Sequence, residues 1–143
     1  MTALTRPALT RSTGFWLALL MIVSQAANAL RALLDPVGFS GYLGLPLAAG
    51  VDPAWVQVYG LRTTFIALLG GWLLATRQIR ILSQVALLAV VMPLGDLWLV
   101  WQADGPADKL ARHALLTLFV LAMWFFLRRW DQAGRTGSTP PTV

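Results

Sequence analysis

Apolar positions along this chain gather into four long runs, with no strand-like alternation between them. The runs are Gly14–Leu34, Trp55–Thr76, Ile81–Gln102 and Leu110–Leu127. Each is close to the roughly 20 residues that a helix needs to cross about 30 Å of hydrocarbon. A spanning segment must satisfy every backbone polar group internally, so runs of this kind predict helices. The expected fold is therefore all-α, an integral membrane four-helix bundle. It divides into a basic tail over residues 1–13, the bundle over 14–130, and a disordered tail over 131–143. Arg6 and Arg11 ahead of the first run resemble the start of a secretory signal. The run is too long for a signal core and lacks a clean small-x-small cleavage site, so it reads as a retained helix.

Orientation follows from the Lys and Arg residues outside the runs. Arg6, Arg11, Arg77, Arg80, Arg128, Arg129 and Arg135 fall on one side, against Lys109 and Arg112 on the other. The positive-inside rule places the larger set, and hence both termini, in the cytoplasm. The expected location is a multi-pass position in the cell's inner membrane. Trp55, Trp98 and Trp101 fall near outer ends of the runs, and Trp16, Trp72, Trp124 and Trp130 near inner ends. Interfacial belts favour such amphipathic rings.

The first outer loop, Asp35 to Ala54, is long and rich in Gly and Pro, yet apolar. It fits either a lid lying in the outer interface or a loosely packed connector. The polar, Pro-rich stretch Gly134–Val143 cannot bury enough apolar surface to order itself. No internal repeat is visible.

Composition narrows the picture further. The chain is 57% hydrophobic and 12% charged, where a soluble domain has about 25% charged residues. A protein this small cannot cover itself with so little polar surface in water. The absence of cysteine excludes a disulfide scaffold, a thiolate nucleophile and thiolate-bound metal. The single histidine, His113, excludes bis-histidine haem within one chain. No metal or cofactor is expected. The net charge of +5 sits beside apolar runs rather than in a stripe, so it predicts lipid as partner and not nucleic acid.

Ionisable groups inside a membrane are costly unless they pair or reach water, so they carry most of the functional information. Helix rise places Arg62 and Asp96 each about 10 Å inside the outer end of their runs. Asn28 lies at a similar depth, with Arg31 and His113 about 5 Å inside. All four runs thus put a polar group in the outer half, while the inner half offers little beyond Ser83, Gln84 and Thr117. Ser24, Gln25, Asn28 and Arg31 recur at helical spacing and form one polar stripe expected to face the interior. Pro93, one turn before Asp96, should bend its helix. Gly60, Thr64, Ala67, Gly70, Gly71 and Ala75 make a small-residue face, which argues close helix packing rather than chemistry.

Two readings of the cluster stand side by side. In one, Arg62 and Asp96 form a buried ion pair that fixes the second run against the third. In the other, they line an outward-facing pocket with Arg62 anchoring an oxygen function and Asp96 acting as acid, base or nucleophile. Desolvation and an adjacent arginine act on the Asp96 proton in opposite senses, so either Asp96 or His113 could be the proton donor. The expected catalytic residues are Asp96, Arg62 and His113, and the expected pocket lining is Gln25, Asn28, Arg31, Tyr59 and Trp98. Arg31 could instead snorkel to the interface.

Several short motifs carry a resemblance. Asp-Pro-x-x-Phe-x-x-Tyr-Leu-Gly-Leu-Pro-Leu from Asp35, Tyr-Gly-Leu-Arg at Tyr59–Arg62, Pro-Leu-Gly-Asp at Pro93–Asp96 and a Gly105…His113 pair occur in order. Over Gly14–Arg129 the chain resembles an uncharacterised family of small four-helix membrane proteins grouped with the DoxX-like proteins. The resemblance implies a four-helix fold and marks Arg62, Gly95, Asp96, Gly105 and His113. It brings no activity with it. Thr63 departs from the family pattern, in which an acid often follows the motif arginine, so chemistry that needs that acid does not carry over.

Three functions remain in view. The first is a membrane-embedded acid–base enzyme, a cyclase, isomerase or epoxide-opening catalyst for an isoprenoid-like or polyketide-like lipophilic molecule. The second is an accessory or assembly subunit of a larger respiratory or redox complex. The third is a solute or proton path, for which four helices suffice only in a homo-oligomer.

Overall fold

Four helices of the structure are long and apolar enough to cross a membrane: Thr13–Leu34, Ala54–Ala75, Ile79–Gln102 and Ala107–Ala133. Twenty-two residues, the length of the first two, rise about 33 Å, enough for the hydrocarbon layer. The computed structural model describes residues 9–136. Its elements are a 3-10 turn at Leu9–Arg11, then α1 (Thr13–Leu34), α2 (Pro36–Leu43), α3 (Ala54–Ala75), α4 (Ile79–Ala89), α5 (Val91–Gln102) and α6 (Ala107–Thr136). There is no strand among the described residues. Part of the expected basic tail, residues 1–8, lies outside them, as do residues 137–143. The expected disordered tail began at residue 131, but α6 continues to Thr136.

Local chemistry sets the breaks. Asp35 closes α1 through its N–H to the Arg31 carbonyl and caps α2 by accepting from the Gly38 N–H at 2.9 Å. Pro36 follows at the first helical position, where its missing N–H costs nothing. Gly44 ends α2 with φ 93°, a left-handed conformation that suits glycine. The apolar first loop is thus partly a helix. Its Phe39 is buried against Ala32 and Val56, with Tyr42 and Tyr59 around it. The third run breaks at Val90 into α4 and α5. Pro93 has no N–H for the Ala89 carbonyl, and Val90 bonds Leu87 one residue short at 3.3 Å.

The spans pack as a ring. α1 lies against α3 and α6, α4 against α3 and α6, and α5 against α6. α2 rests on α1 and α3 at the end of the bundle where α1 and α5 finish. Small residues let α1 and α3 approach closely: a Cβ on Gly60 of α3 would stand 3.0 Å from the Ala32 Cβ of α1. The larger apolar core lies toward the opposite end, around Leu73, Ile79, Leu82 and Leu127. α5, bent away at Val90, is not closely packed on α1 or α3. A cavity fills that space.

Candidate functional site

The cavity runs along the axis between all the spans. On α1 its walls extend from Ala18 to Asn28, and on α6 from Arg112 to Met123. Ten or eleven helical residues correspond to about 15 Å. Its volume is about 130 Å³. Toward the far end it is lined by Ala18, Ile22, Leu82, Ala86, Val120 and Met123. At the α2 end the lining turns polar, with Gln25, Asn28, Tyr42, Tyr59, Asp96, Arg112 and His113. The cavity is amphiphilic along its length, so it reaches beyond the polar half in which the sequence placed the pocket.

His113 is the most enclosed of these polar groups, with 1% of its surface exposed. Its Nε2 lies 3.0 Å from the Leu43 carbonyl oxygen at the end of α2. A carbonyl can only accept, so Nε2 carries a hydrogen and donates it. The Arg112 Nη2 atom, 3.4 Å from the same nitrogen, is then a second donor facing a donor. The other ring nitrogen, Nδ1, is buried and has no hydrogen-bond partner. It faces Asp96 Oδ2 at 3.9 Å. The Asp96 side chain is one-third exposed, toward the cavity.

That separation is too long for a direct hydrogen bond, yet an oxygen bonded to both groups at about 2.8 Å can sit beside it. Nε2 is committed to Leu43, so Nδ1 is the ring nitrogen left to face Asp96. The arrangement can hold a ligand oxygen and exchange a proton with it. Tyr59 and Arg112 line the same end of the cavity. Three intramembrane hydroxyls are spent on their own helices: Thr63 on the Tyr59 carbonyl, Ser83 on that of Arg80 and Thr117 on that of His113. Among the described residues, no three His, Cys, Asp or Glu side chains stand together as a metal site would require.

The structure gathers Asp96, His113, Tyr59, Gln25 and Asn28 at one cavity end. It does not bring Arg62 there. Arg62 is exposed on the outward side of α3, beside Leu61 and Phe65, and its neighbour Thr63 faces inward. The Arg62–Asp96 ion pair of the first reading is not formed, because equal depth on two helices does not make two side chains face each other. Arg31 is also exposed and off the cavity, stacked on Tyr42. Trp98 is 53% exposed and packs on Trp101, with ring centroids 5.0 Å apart, rather than on the cavity.

Sequence reasoning passed over Tyr42 and Arg112. Asp35, Pro36 and Gly44 are helix-boundary signals that would have put Tyr42 on a helix. Arg112 entered only as a charge that sets topology, although it neighbours His113. A family model described as a domain of unknown function (DUF4267) matches residues 23–127. No curated protein and no solved structure matches the chain.

Proposed function

The chain belongs to this family of unknown function, and on that premise we propose that it is a membrane-embedded acid–base enzyme for a lipophilic molecule. One observation carries the reading. The buried Nδ1 of His113 has no partner and faces, at 3.9 Å, the carboxyl group that Asp96 presents to the cavity. A buried polar atom left unpaired is costly, and such atoms concentrate where a ligand or a reaction completes them.

The chemistry that fits is cyclisation, isomerisation or epoxide opening of an isoprenoid-like or polyketide-like chain. Asp96, as the acid, gives its proton to an alkene carbon or an epoxide oxygen. The carbon centre so activated closes on a neighbouring double bond or shifts, and then loses a proton to His113 Nδ1. His113 returns that proton to Asp96, and the pair ends as it began. The apolar walls exclude the water that would quench a cation. Tyr59 lines the reacting end.

The charge distribution supports both termini in the cytoplasm and the α2 end facing outward, in the cell's inner membrane. A second reading, an accessory subunit of a larger respiratory or redox complex, draws on the DoxX-like resemblance and on Arg62, exposed among lipid-facing side chains. Asp96→Asn decides between them. The variant is checked for insertion and accumulation and then assayed with lipophilic polyenes and their epoxides. Turnover that depends on Asp96 supports the enzyme, and turnover unchanged by the substitution removes it.

A further inference from the structure

We propose that the molecule held in this cavity carries an anionic head group, a carboxylate or a phosphate monoester, bound by Arg112 and Arg31 beside the Tyr42 ring. This rests on reading the cavity as a site for a lipophilic molecule, but not on proton transfer by Asp96 and His113.

The Tyr42 ring, at the cavity mouth on α2, collects three cations from two spans. The Arg112 Cζ lies 4.0 Å from its centroid, the Arg31 Cζ 4.5 Å and the Lys109 Nζ 6.0 Å. The ring's negative face attracts each of them, but like charges gathered this closely repel one another. Lys109 is relieved by Asp108 at 3.4 Å. Among the described residues neither guanidinium is in an ion pair. Arg112 approaches His113 Nε2, which donates to Leu43 and cannot accept from it. Asp96 lines the same cavity as Arg112, but its close contact is His113, at 3.9 Å. The Asp96 carboxyl faces His113 and not either arginine, which leaves two guanidinium forks with donors not spent on an ion pair.

Planar forks of this kind bind carboxylate or phosphate oxygens in bidentate fashion. Toward Ala18 and Met123 the cavity is apolar, and its about 130 Å³ encloses a short stretch of one hydrocarbon chain. Charge at the mouth and an apolar shaft beneath it together specify a single-chain anionic amphiphile. The same head-group chemistry could come from a membrane phospholipid, and the test separates the two sources.

The purified full chain in phosphatidylcholine nanodiscs is titrated with dodecanoate, dodecyl phosphate and dodecanol. The expected result is at least tenfold tighter binding of the two anions than of the alcohol. In Arg112→Gln and in Arg31→Gln that preference falls to threefold or less while dodecanol affinity holds, which also shows that each variant is folded. Should one variant fail to accumulate, the other carries the test. Competition by added phosphatidic acid, whose head group is a phosphate monoester, assigns the subsite to lipid head groups, and its absence assigns it to a free amphiphile. Equal affinity for anions and alcohol, or a preference that survives both substitutions, overturns the inference. Anion preference together with turnover independent of Asp96 would leave this subsite standing and remove only the acid–base reading. The converse pair of results would do the reverse.

Discussion

His113 on α6 donates from Nε2 to the carbonyl of Leu43, 3.0 Å away and seventy residues earlier in the chain. This bond joins the short helix α2 to the cavity wall and fixes which way the imidazole faces. With Nε2 committed, Nδ1 is turned toward Asp96. The α2 segment is thereby part of the site rather than a connector between spans.

Asp96 and His113 should behave as one unit. Removing either partner of a positioned acid–base pair costs about 10²–10⁴-fold in rate. Removing both should cost little more than removing one, because the second deletion takes away nothing still in use. The measurement is turnover of one lipophilic substrate by Asp96→Asn, His113→Gln and the double variant. Multiplicative losses would show that the two groups act independently.

Gly44→Ala should destabilise the bundle and loosen the imidazole. Its φ of 93° disfavours any Cβ, and the added carbon would stand 3.0 Å from the Lys109 Cβ. The left-handed penalty alone is about 1–2 kcal/mol. A lower thermal midpoint in detergent, with weakened turnover or ligand binding, is expected. An unchanged midpoint would mean that α2 is not held as described.

Arg62→Gln should leave the thermal midpoint nearly unchanged, because Arg62 is exposed and off the cavity. Severing a buried ion pair would cost about 3–5 kcal/mol. Thermal unfolding of this one variant therefore distinguishes the exposed arginine from a partner of Asp96.

The natural chain has no cysteine, so orientation can be read from single introduced thiols. Ala49→Cys, in the loop after α2, should react with a membrane-impermeant maleimide added to intact cells. Arg77→Cys, in the α3–α4 turn, should react only after the membrane is opened. The opposite pattern would invert the proposed topology.

The number of spans was legible in the sequence, since it follows from the length of the apolar runs and a fixed rise per residue. The expected second span, Trp55–Thr76, differs from α3 by one residue at each end. Pro93 announced the break between α4 and α5. Depth also singled out Asp96 and His113, which the fold brings together, because an ionisable group in lipid stands out whichever way it faces.

What the sequence left undetermined was azimuth. In water a polar face points outward and a helix's rotation can be read from its pattern. In a membrane the surroundings are as apolar as the interior, so that signal is lost. Arg62 and Thr63 are adjacent, yet packing against α1 turned Thr63 inward and Arg62 outward. Arg31, in line with Asn28 on the stripe, left the cavity for the face of Tyr42. The ring of cations at Tyr42 and the bond from His113 to Leu43 each join helices distant in sequence. Only close packing, steered by small residues such as Gly60 and by the turn at Gly44, could bring them into contact.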